Sequence, residues 1–138
     1  MNYGELIQAY FERSVALQWY WTIYVLVIGG ILGFSTIRQR REFVTAVLIT
    51  SLFMCFAFKN EGAIEATADE REAIRVAFKD YPATGANAAE IELFRDKVEP
   101  KLTAYDIAGA RHFHFVCDLL TIAYVWVRER RRQTADPK

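Results

Sequence analysis

Apolar side chains gather into three runs along this chain, and nearly all the charge lies between them. The first run, 15–37 (VALQWYWTIYVLVIGGILGFSTI), holds twenty-three residues without a charged side chain. At 1.5 Å per residue such a helix covers about 34 Å, enough to cross a hydrocarbon core of about 30 Å. A helix apolar on every side has no face for water, so the pattern predicts a membrane span. The second run, 43–58 (FVTAVLITSLFMCFAF), covers about 24 Å, and a flanking Arg41 and Lys59 are placed to snorkel from its ends. Only residues 38–42 separate these two runs, which requires a tight antiparallel hairpin. The third run, 112–127 (HFHFVCDLLTIAYVWV), lies in a span set at about 107–127 and is interrupted by His112, His114 and Asp118.

The polar stretches between the runs have helical spacing of their own. Tyr3, Leu6, Ile7, Tyr10 and Phe11 recur as on one helical face. They fit either an interfacial amphipathic helix or an upstream extension of the first span. In the insertion 59–106, Thr67 followed by Glu70 reads as a capping box for a helix that ends at Tyr81–Pro82. Asn87 followed by Glu90 reads as a second, weaker cap, and Pro100 suits the first turn of the next helix. Ile74, Phe78, Ile91 and Phe94 form the apolar stripe of this helical hairpin, a surface suited to a partner. Gly29 and Gly33 in the first run are spaced to let another helix come close.

The expected fold is therefore all-α: an integral membrane protein with three transmembrane helices and an extracytoplasmic helical hairpin between the second and third. At 138 residues it makes a single domain. Formal charge is balanced at 17 basic and 17 acidic residues, which gives no pointer to nucleic acid. The distribution of charge says more. Residues 38–42 and the tail 128–138 are net basic, while 1–14 and 59–111 are net acidic. The positive-inside rule then puts the amino terminus outside and the carboxyl terminus inside, in a cytoplasmic (inner) membrane. Trp19, Tyr20 and Trp21 suit an aromatic belt at the outer face.

Candidate chemistry is confined to the third run. Arg111, His114, Asp118, Thr121 and Val125 fall on one helical face. Counting from the ends of the runs sets Asp118 near the midplane, level with Thr50 and Ser51. A carboxylate at that depth costs about 2.5–3.5 kcal/mol unless it is protonated, bonded or wet. Its expected role is either a structural hydrogen bond to Thr50 or Ser51, or proton chemistry with His114. His114 and Asp118 also have the i, i+4 spacing of a helical metal-ligand pair. His112 points elsewhere, about 200° around the helix.

Cys55 and Cys117 form no disulfide framework and no CxxC motif. No nucleotide loop, nucleophile elbow or zinc-hydrolase signature is present. These absences lean away from an enzyme without deciding the matter, and no cofactor or metal is expected. The leading expectation is a non-enzymatic accessory or interaction subunit, partnered by the bilayer and by another membrane protein or a second copy. The alternative is a proton-linked or metal/haem redox role centred on His114 and Asp118.

Overall fold

The structure, a computed structural model, describes residues 2–40, 42–102 and 104–135. Arg41 and the end of the basic tail, 136–138, lie outside the described residues. The described residues contain helices and no strands: α1 (Tyr3–Ile37), α2 (Phe43–Asp80), α3 (Ala88–Lys97), a short 3₁₀ turn (Glu99–Lys101) and α4 (Ile107–Ala135).

Two helices, α1 and α2, are long and apolar enough to cross a membrane. In their most apolar stretches only 11% and 22% of the residues are buried, the reverse of a core helix in water. Leu26, Leu48, Leu52 and Phe58 are among the large side chains left outward. An outward apolar surface of that kind is stable against lipid.

Several elements differ from the sequence expectation. No helix starts at Thr67: α2 runs unbroken from Phe43 to Asp80, and Thr67 is buried in its interior. Nothing between Phe58 and Thr67 breaks a helix except Gly62, which costs only about 1 kcal/mol in an interior. The stop before Pro82 holds. Asn87 does stand at the amino-terminal end of α3, but its side chain makes no capping bond. Pro100 belongs to the 3₁₀ turn and not to α4. Residues 3–14 are an upstream extension of α1. That helix starts on a reciprocal cap: the Asn2 amide donates to Glu5 Oε2 at 2.8 Å, and the Glu5 amide to Asn2 Oδ1 at 2.9 Å.

The chain divides into two compact units. One comprises Met1–Trp19 and Ile64–Ile107. Its core is Leu6, Tyr10 and Phe78, ringed by Tyr3, Ile7, Ile74, Ala77, Tyr81 and Leu102. Tyr3 meets Phe78 and Phe94 edge-on, with ring centroids 5.6 and 5.5 Å apart. The Arg71 guanidinium lies 4.6 Å over the Tyr10 ring and donates to its hydroxyl. Arg95 donates to the Phe78 and Tyr81 carbonyls at the end of α2, the first of which also accepts from the Tyr81 amide. The chain turns at Gly85, whose φ of 82° suits a residue without a Cβ. The other unit comprises Tyr20–Ala63 and Ala108–Lys138. It holds the candidate site.

Candidate functional site

The face predicted on α4 is the face the second unit buries. His114, Thr121 and Val125 are 2%, 4% and 3% exposed, and the same spacing of four carries on to Glu129 at 1%. Tyr24 from α1, and Ala46, Phe53, Ala57 and Asn60 from α2, are buried in the same unit. Two polar layers are built on this face.

In the first layer the Tyr24 ring stacks on the His114 ring, with centroids 3.7 Å and planes 27° apart. The Tyr24 hydroxyl lies 2.8 Å from Asp118 Oδ1 and 3.1 Å from the His114 carbonyl. Asp118 Oδ2 is 3.3 Å from His114 Nδ1, and His114 Nε2 is 3.4 Å from Asn60 Nδ2. An acceptor-only carboxylate fixes the pattern: Tyr24 O–H and His114 Nδ1–H donate to Asp118, and Nε2 accepts from the Asn60 amide. Three helices thus meet in one hydrogen-bonded set. Next to it, Arg111 pairs with Glu61 at 3.2 Å, with both side chains partly exposed.

The second layer is centred on Glu129. Its carboxylate accepts from Arg38, from Arg132 Nη1 at 3.1 Å and from the Glu42 amide at 2.9 Å. That amide stands at the start of α2, where the helix dipole favours an anion. Arg132 and Arg128 donate to the Ser35 and Thr36 carbonyls, the latter at 3.0 Å. Both carbonyls lie in the last turn of α1, which leaves them without helical partners. Thr36 and Tyr124 share a hydrogen bond of 2.7 Å nearby. Arg111 and Glu129 are eighteen residues apart on α4, so the Arg111–Glu61 pair and the Glu129 layer stand about 27 Å apart along it.

The predicted polar partners of Asp118 are corrected. Thr50 donates to the Ala46 carbonyl of its own helix at 2.8 Å, and Ser51 is exposed. The partners are Tyr24 and His114. Depth counted from the end of the second apolar run misplaces α2, because Asn60, beyond that run, belongs to the core. Arg111 sits at the edge of the site through Glu61, and His112 bonds to the Ala108 carbonyl of its own helix.

The predicted partner surface is corrected too. Phe78 and Ile91 are buried, and Tyr3 packs against Phe78 and Phe94 while Ile74 borders the same core, so this chain covers its own stripe. A Cβ on Gly29 or Gly33 would meet nothing within 4 Å, so no described helix uses their close-approach surface. Among the described residues no three His, Cys, Asp or Glu side chains converge as a metal-ligand set.

Tyr24, Asn60 and Glu129 are the site residues missed from sequence. The step of four through Thr121, Val125 and Glu129 was a usable signal for the last. No known protein family, curated protein or solved structure matches the chain.

Proposed function

We propose that the chain is a three-span integral membrane protein, amino terminus outside and carboxyl terminus in the cytoplasm, that works by binding a proton at the His114–Asp118 pair. The observation that carries this is the hydrogen-bonded set joining Asp118 to Tyr24, His114 and, through the imidazole, Asn60. Imidazole changes charge between about pH 5 and 8, and ionisable groups held inside membranes mark proton relays. The separation of the layers supports α4 as the third span. About 27 Å between Arg111–Glu61 and Glu129–Arg38 matches the hydrocarbon thickness, with charges at both boundaries. The arginine-rich layer supports the orientation.

Two experiments test this. A thiol reagent applied outside the cell should label a cysteine introduced at Thr84 and leave one introduced at Arg130 untouched; the opposite result inverts the topology. Isotope-edited infrared spectra of the purified protein should show a carboxylate band that shifts when its imidazole partner is protonated and that Asp118→Asn removes. If the spectra of wild type and Asp118→Asn do not differ across pH 5–8, proton binding is rejected and the cluster is a structural fastening.

A second reading is favoured by one observation, the open surface at Gly29 and Gly33. It makes the chain an accessory subunit that seats a helix of a larger membrane assembly, or of a second copy, on that face of α1. Affinity capture from mild detergent that returned only the monomer would remove it.

A further inference from the structure

The polar set around Asp118 is lopsided, and the asymmetry says which water it can exchange protons with. Asp118 lies seven residues from Arg111 and eleven from Glu129 on α4. That puts it about 10 Å from the Arg111–Glu61 layer and about 16 Å from the Glu129 layer. The shorter distance is lined with polar groups: Asp118 meets His114 at 3.3 Å and His114 meets Asn60 at 3.4 Å, and the neighbouring Glu61 pairs with Arg111 at the partly exposed edge.

The longer distance is filled differently. Phe53 and Ala46 of α2 and Val125 of α4 are buried there, at 3%, 0% and 3% exposure. The one buried hydroxyl on that side of α4, Thr121, donates to the Cys117 carbonyl of its own helix at 2.8 Å. Thr50 likewise donates to its own helix. Apolar packing of this kind has no group to hand a proton on, and the Thr36–Tyr124 hydroxyl pair lies outside it, at the exposed edge by the Glu129 layer.

We infer that the His114–Asp118 pair equilibrates with the aqueous phase on the Arg111–Glu61 side only, the side opposite the carboxyl terminus, and is sealed from the other by Phe53, Ala46 and Val125. This rests on the proton-binding reading above and adds the direction of access. The groups facing the pair are Tyr24 from α1, Asn60 and Glu61 from α2, and Arg111 and Cys117 from α4. The step balances without a co-reactant. A proton from water binds His114 Nε2, whose acceptor lone pair faces Asn60, and the Asn60 amide turns its oxygen to the new N–H. The imidazolium keeps its Nδ1 proton, which it donates in a hydrogen bond to Asp118 Oδ2. The pair goes from a net charge of −1 to 0, and release reverses the path.

Trp21 supplies the readout, because its ring lies 5.6 Å from the His114 ring and a cationic imidazole quenches indole emission. Trp19→Phe and Trp126→Phe leave Trp21 as the only indole. This protein is reconstituted into vesicles, and an affinity tag on the carboxyl terminus separates vesicles with the tag outside from those with it inside. The pH is then stepped on one side at a time. Emission should fall on acidification of the compartment opposite the tag, stay unchanged on acidification of the tag side, and lose its response in His114→Gln. A response from the tag side, or from both sides equally, overturns the one-sided access and leaves proton binding standing. No response from either side, even after an ionophore equalises the pH, or a response that survives His114→Gln, overturns both.

Discussion

Glu129, the second residue of the run RERRR, is 1% exposed, and its carboxylate holds the Arg38 guanidinium from the α1–α2 turn. Three chain segments meet on that carboxylate, because Arg132 and the Glu42 amide donate to it as well. Removing one partner of a buried ion pair strands the others, at a typical cost of about 3–5 kcal/mol. Glu129→Ala is therefore expected to destabilise the fold by about that amount, with Glu129→Gln milder because it still accepts hydrogen bonds. Unfolding by titrated denaturing detergent, followed by helical circular dichroism, measures both. Two variants as stable as wild type would show the carboxylate to be idle.

Tyr24 and Asp118 give a second measurable coupling. Hydrogen bonds between membrane helices average about 0.6 kcal/mol and reach about 1.7 kcal/mol in double-mutant cycles. A cycle of Tyr24→Phe against Asp118→Ala, each of which removes one partner of the bond, is expected to return a coupling within that range. A coupling of zero would mean the 2.8 Å contact does not hold the helices together.

In the first unit, Phe78 is 2% exposed and touches Tyr3, Tyr10 and Phe94. Phe78→Ala leaves a cavity that costs about 3–5 kcal/mol. The expected sign is faster cleavage within 81–87 by a soluble protease under native conditions, compared with Val76→Ala at an exposed position of the same helix.

Acid should also weaken one particular ion pair of that unit. Hydrogen bonding to Arg75, at 2.7 Å to its Nε, holds the Glu72 carboxyl below its ordinary value of 4.5. A carboxyl depressed in the folded state adds stability above its unfolded value, and loses it as pH falls through the folded one. The loss therefore falls below pH 4.5, and is small because the Glu72 side chain is 39% exposed. Carbon-detected NMR titration of Glu72 in wild type and Arg75→Ala checks it, with the variant shifted upward.

The sequence pattern reveals those features that depend on one helix. The buried face of α4 follows from the spacing of His114, Asp118, Thr121 and Val125, and the break before Pro82 follows from proline sterics. What escapes it depends on how helices are set against one another. Tyr24 reads as one more aromatic in an apolar run until a carboxylate is known to face it. Asn60 reads as a polar residue just outside the second run, whereas α2 continues past it and turns it into the core. Thr67 and Glu70 carry a capping signature that an uninterrupted helix overrides, since a cap can act only where the backbone already leaves helical geometry. Ile74, Phe78, Ile91 and Phe94 are correctly apolar, but periodicity alone cannot say that this chain's own first turns are what covers them.

In the topology we propose, the guanidinium groups that close the end of α1 also belong to the charge that orients the chain. Deleting Arg128 or Arg132 would change two properties together, loosening the Ser35 and Thr36 carbonyls while thinning the positive flank. Lysine replacement separates them: it keeps the sign that the insertion machinery reads and lacks the planar fork. An Arg128→Lys, Arg132→Lys chain should thus insert the right way round and melt early, so that threading and durability become separate assays of one cluster.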